Sequence, residues 1–254
     1  MGMIRTATGL VADWIYGSRK FAHGRGWHRA VVYPGGAKAP VLMLPGVYET
    51  ADFLAPLAKR LSDEGHPIHV LDALRRNVMP VTDAAALAAR YLEQHDLRDV
   101  VLVAHSKGGL IGKYLMLFED ADARVDRMVA IASPFNGSSM SRYFPNRALR
   151  AFLPTDATLM RIGAEARVNS RVTSIFGSFD AHIPEGSKLA GADNREFPIV
   201  GHFRILVDPA VLDLVTEVAA RPSTPHEPLV VPKPAADQVP TTEEPTPTNP
   251  APPA

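Results

Sequence analysis

The chain has 254 residues, 46% of them hydrophobic, which suits one α/β domain with a sizeable core. Its 27 basic residues balance 27 acidic ones, so there is no one-signed field of the kind that draws proteins to nucleic acid or to an anionic membrane. The absence of cysteine excludes disulfides, thiolate catalysis and Cys-based metal sites, without fixing the compartment.

Residues 3 to 16 place Ile4, Leu10, Val11, Trp14 and Ile15 at helical spacing. This predicts a helix packed on the domain. The alternative, a helix lying on a lipid surface, has only Arg5 as a base on its polar face. Asp13 interrupts the best apolar stretch, so no signal peptide is expected and a cytoplasmic location is the default. No window reaches the apolar length that spans a bilayer.

His28 to Tyr33 reads as an early strand ended by the Pro34-Gly35-Gly36 turn. Val41 to Leu44 is a fully apolar strand, followed by Pro45-Gly46-Val47-Tyr48 and a helical segment from about Ala51 to Glu64. Pro67 to Leu71 is the next strand, with Asp72 and the solvated pair Arg75 and Arg76 opening the loop after it. An alanine-rich helix then runs from about Asp83 to Gln94. Strand and helix alternate, which predicts a doubly wound, mostly parallel sheet.

The most informative stretch lies between Asp99 and Phe118. Val100 to Val103 is a continuous β-favouring run suited to a strand buried on both faces. Beyond Ser106, the residues Leu110, Ile111, Tyr114, Leu115 and Phe118 recur at three- and four-residue spacing, so the strand feeds a helix with one buried face. Between them, Ala104-His105-Ser106-Lys107-Gly108 matches G-x-S-x-G with Ala at the first position. Small residues two positions before and after a strained serine let strand and helix approach closely.

This segment resembles the nucleophile elbow of the α/β-hydrolases, and AHSKGG in particular is similar to that of bacterial lipases and esterases. The resemblance covers about residues 40 to 219. It implies Ser106 as nucleophile, the backbone amides of Lys107 and Val47 as oxyanion hole, and an acid and a histidine further along the chain. Pro45 stands where the family usually has His, but the implied donor is a main-chain N–H. The Lys107 side chain is expected in solvent.

Met128 to Ala132 is the strand after the elbow helix, and Ser133-Pro134-Phe135-Asn136-Gly137-Ser138 after it resembles a lipase loop but carries no carboxylate. From about 135 to 169 the pattern breaks into short helical pieces with Phe144, Phe152, Leu159 and Met160. This is read as a small helical cap, the alternative being ordinary packing on the core. Val172 to Phe176 is a strand, followed by Asp180-Ala181-His182-Ile183-Pro184, similar to the family's D-x-x-[VI]-P, which makes Asp180 the expected acid. Glu196 to Val200 leads into Gly201-His202, similar to the family's final GH, before a helix from Pro209 to about Ala219. Ser106, Asp180 and His202 thus fall in the chain order of this fold, with His182 the one serious rival to His202.

Residues 1–220 are expected to form the hydrolase domain. The stretch from Arg221 onward holds eleven of the 23 prolines and is expected to be a disordered, inert tail, a proline-binding partner being the alternative. The resemblance implies a serine esterase or lipase acting through an acyl-enzyme on a small-molecule or lipid ester. A thioesterase, an acyltransferase or a non-catalytic binding protein of the same fold are alternatives. No metal, no cofactor and no nucleic acid are expected.

Overall fold

Continuous apolar runs make strands that must be covered on both faces, and the chain arranges them accordingly. A computed structural model of the chain describes residues 3–23, 33, 35–144 and 146–229. Six strands, β1 (Val41–Leu44), β2 (Ile68–Val70), β3 (Val100–His105), β4 (Val125–Ile131), β5 (Val172–Phe179) and β6 (Asp193–Val200), form one sheet. Their order is β2-β1-β3-β4-β5-β6, and every pairing among these six strands is parallel. The strand expected over His28 to Tyr33 falls largely outside the described residues; Tyr33 itself bridges Ile68.

The two-residue period of the strands divides the core in two. Leu42, Leu44, Leu102, Ala104, Met128 and Ala130 face α3 (Val81–Gln94) and α4 (Lys107–Tyr114). Val41, Met43, Val101, Val103, Val129 and Ile131 face α2 (Ala55–Asp63) and α7 (Pro209–Ala219). Pro at the start of α2 and α7 suits positions whose N–H has no helical partner, and Asp208 caps α7 through the amides of Ala210 and Val211.

The N-terminal helix, α1 (Met3–His23), is longer than the 3–16 segment expected. Between β4 and β5 lie a 3-10 turn at Ser139–Tyr143, α5 (Arg147–Arg150) and α6 (Ala157–Ala164). Phe152, Leu159 and Ile162 of this stretch are buried in the α3/α4 core, so its inner side packs on the domain while its outer part overhangs the strand ends.

The expectation of an inert tail from Arg221 does not describe residues 221–229. They have no regular structure, yet Thr224 donates to Asp126 (3.1 Å), a His226 nitrogen lies 2.8 Å from the Val125 carbonyl, and Leu229 packs against the core. These contacts cover one end of β4. A chain ending at Leu229 keeps these contacts and serves as the reference. One ending at Ala220, having lost roughly 2 kcal/mol of hydrogen bonding, should melt about 4–8 °C lower by calorimetry.

Candidate active site

The elbow is built by close approach. Ala104 is fully buried in register between Leu44 and Ala130. Ser106 then adopts φ 51°, ψ −118°, a conformation that L-residues avoid unless the surroundings enforce it. A Cβ on Gly108 would fall on the Leu44 carbonyl oxygen, so only glycine lets α4 start this close to β1. Ser106 sits at the N-cap of α4, where the first amides of the helix have no intrahelical acceptor and point toward the serine's end.

Asp180 follows the last residue of β5, and His202 lies two residues past β6. The structure joins them. His202 Nδ1 is 2.6 Å from Asp180 Oδ2, with the two side chains 5% and 9% exposed. Burial pushes the Asp180 carboxyl up, but the charge of His202 and the contacts from His182 and His202 together hold it well below the usual carboxylate range. Ser106 and His202 line the same cavity. His182, the rival histidine, is 55% exposed, stacks on His202 at 4.9 Å, and lies 3.6 Å from Asp180 through Nδ1.

Asp180, His182 and His202 bring three ligand atoms within 4.8 Å of one another. The sequence, from which no metal is expected, does not announce this cluster, because its two histidines come from the ends of two different strands. Imidazole and carboxylate are transition-metal donors, but the short His202–Asp180 hydrogen bond already takes up one atom of each.

The loop expected to carry one oxyanion donor is clamped from both sides. Glu49 Oε2 accepts from the Gly46 amide (2.7 Å), so that amide is already engaged within the loop. Glu49 Oε1 lies 2.7 Å from His105 Nδ1, both side chains being essentially inaccessible, and His105 Nε2 lies 3.0 Å from the His202 carbonyl. Burial opposes a charge on His105 most strongly, yet the Glu49 charge and hydrogen bond, with the His202 carbonyl, raise its pKa overall. On the other side, Asn77 Nδ2 donates to the Pro45 carbonyl (2.7 Å).

Lys107 does not reach solvent, as the sequence suggested; it is 1% exposed, and its ammonium donates to the carbonyls of Asn77 (2.8 Å) and Met79. Burial brings its pKa down to about 8. An ammonium buried beneath main-chain carbonyls ties the loop 77–79 to the elbow.

The cavity over Ser106 has a volume of about 640 Å³ and is walled largely by apolar side chains from two directions. Leu10, Trp14 and Phe21 come from α1, and Met140, Phe144 and Phe152 from the overhanging segment. A larger groove, about 840 Å³, lies between residues 78–81 and α6; it contains neither Ser106 nor a histidine. No helix among the described residues is long and apolar enough to cross a membrane.

No protein-family model matches the sequence, and no curated protein matches it significantly. Solved structures do match. Mature Bacillus licheniformis lipase BlEst2 superposes with a TM-score of 0.60 at 16% identity, over 76% of this chain and 97% of that one. Aspergillus fumigatus lipase B gives 0.63 at 16%, over 77% of this chain and 56% of its own. The ydeN gene product of Bacillus subtilis gives 0.54 at 19%, over 72% and 100%. The chain has the α/β-hydrolase fold.

The Glu49–His105 pair sets a stability test. Glu49→Ala strands a buried imidazole and is expected to lower the unfolding free energy by about 3–5 kcal/mol in urea titrations. Because the folded pKa of His105 is raised, its share of that stability is complete below about pH 6.5. It declines as pH rises through the folded value, so the gap between wild type and variant should narrow in alkaline buffer.

Proposed function

We propose that the protein is a serine hydrolase of carboxylic esters, with Ser106 as nucleophile, His202 as general base and acid, and Asp180 as its orienting carboxylate. The observation that carries this reading is the strained Ser106 turn opening into the cavity that His202 also lines, with His202 held by a buried, ionised Asp180. A neutral serine hydroxyl is a weak nucleophile, so His202 Nε2 takes its proton as the oxygen attacks the acyl carbonyl. Asp180 fixes the tautomer with the proton on Nδ1 and stabilises the imidazolium.

The amides of Val47 and Lys107 receive the developing oxyanion, each donor worth about 3 kcal/mol of barrier. His202 then protonates the leaving alcohol. Water, deprotonated by the same imidazole, releases the acid and restores Ser106. The largely apolar cavity favours an apolar acyl or alcohol group, and activity across model esters of increasing acyl length would report the preferred size. The overhanging stretch, as a small cap, encloses the ester over Ser106. Two of the solved structures with this fold are named lipases, which supports an ester substrate, and the same residues would serve thioester substrates.

Ser106→Ala should abolish hydrolysis of p-nitrophenyl esters in a protein that still folds, and a fluorophosphonate should label Ser106 in the wild type. Retained activity, or an adduct on another residue, overturns the assignment.

His202→Ala should lower kcat by several orders of magnitude. His182→Ala, which removes an exposed ring from the mouth, should cost about tenfold. The reverse pattern, measured on folded proteins with one ester, exchanges the roles of the two histidines.

A further inference from the structure

Helix α1 precedes the sheet in sequence, yet its Asp13 is built into the turn that carries His202. The carboxylate is 3% exposed. Its Oδ2 accepts from the His202 amide (2.9 Å), and its Oδ1 from the amides of Phe203 and Arg204, both at 2.8 Å. Three consecutive N–H groups thus converge on one buried anion, which satisfies the amides at the start of the 3-10 turn Arg204–Val207 and offsets the desolvation of the carboxylate.

The fit around Asp13 is close on every side. At Gly201, φ is +120° and a Cβ would sit 2.5 Å from Asp13 Cβ. One helical turn away in either direction, α1 has glycine: a Cβ on Gly9 would lie 2.6 Å from Val200 Cβ, and one on Gly17 would lie 2.8 Å from the Phe203 ring. Gly9, Asp13 and Gly17 therefore make one face, small, anionic, small, pressed against residues 200–204.

This contact is more than an anchor for α1, because it reaches the backbone of His202 itself. The His202 amide is held by Asp13, and its carbonyl by His105 at 3.0 Å. With both peptide groups of one residue fixed, the direction of its side chain is set.

We propose that Asp13 is a positioning residue for catalysis: it fixes the main chain of His202 so that the imidazole meets Asp180 on one side and Ser106 on the other. This rests on the hydrolase reading above. Helix α1, which also supplies Leu10 and Trp14 to the cavity wall, is then part of the site.

Asp13→Asn tests it in the full chain, since the amide puts an N–H2 group against at least one main-chain N–H. A displacement of the imidazole by about 1 Å is expected to lower kcat roughly 100-fold, with KM changed less than about threefold. The downfield proton resonance of the short His202–Asp180 hydrogen bond should weaken in parallel. Lys20→Met is the control. Lys20 ties α1 to the Asp52 carbonyl at 2.8 Å and does not touch the His202 turn, so this variant should lose thermal stability but keep kcat and the resonance.

Wild-type kcat and resonance in folded Asp13→Asn overturn the proposal. So does a loss of kcat in Lys20→Met as large as in Asp13→Asn, which would make Asp13 an ordinary anchor. If Asp13→Asn does not fold, Gly9→Ala, whose methyl group meets Val200 and lifts this face of α1 with the Asp13 carboxylate away from the three amides, is read by the same two measurements. Failure of the hydrolase reading is separate: it shows as full activity in Ser106→Ala, while the proton resonance still reports whether Asp13 orients His202.

Discussion

The site depends on how closely α4 approaches β1 beneath Ser106. The glycine at 108 lets the helix begin against the Leu44 carbonyl, and that contact bends the chain through a backbone conformation that costs about 1–3 kcal/mol. The strain is sustained by strands on both sides of β3, which is fully buried along its length. The sheet is thus a rigid base from which a small, unfavourable turn projects a hydroxyl into a cavity. Parallel strands end on the same side, and the fold uses this. The segments after β1, β3, β5 and β6 all arrive at the same edge, bringing Val47, Ser106, Asp180 and His202 from distant parts of the sequence.

Around this edge the interior holds several buried polar side chains. Glu49, His105, Lys107, Asp13 and Asn77 are almost wholly inaccessible. Each binds main-chain groups of a loop next to Ser106: Glu49 the Gly46 amide, His105 the His202 carbonyl, Asn77 the Pro45 carbonyl and Lys107 the loop behind it. Apolar side chains could fill the same volume, but they could not hold loops whose peptide groups find no partner in the sheet. The polar interior is the loops' substitute for secondary structure.

This division explains what could be read from the sequence. The strands and helices of the sheet were legible because periodicity and apolar runs are local signals, and α7 was delimited by Pro209 and Ala219 as observed. The short motifs at the ends of β5 and β6 contain Asp180 and His202, which the structure pairs at 2.6 Å. A lysine at the start of a helix reads as solvent-exposed, whereas the acceptors of Lys107 are carbonyls 28 and 30 residues away, which no local pattern announces. Asp13 was seen only as an interruption of an apolar stretch. Its spacing of four from both Gly9 and Gly17 was available as a signal of close packing, but what it packs against lies at the far end of the domain. The bonds of residues 221–229 lie behind a proline-rich composition, which carries no local signal of packing.

The Asp13 contact also orders events in time. Asp13 and His202 are 189 positions apart, and a ribosome adding about 5–20 residues per second needs roughly 10–40 s to pass from one to the other. Throughout that interval α1 has no turn to hold and its carboxylate no amides to receive. Contacts of such long range close late, after the loop entropy of the intervening chain has been overcome by the sheet. The nascent protein can therefore assemble strands β1 to β5, with Ser106 already on its turn, and still lack a fixed imidazole. The imidazole is fixed in one late step, when α1 meets the turn after β6.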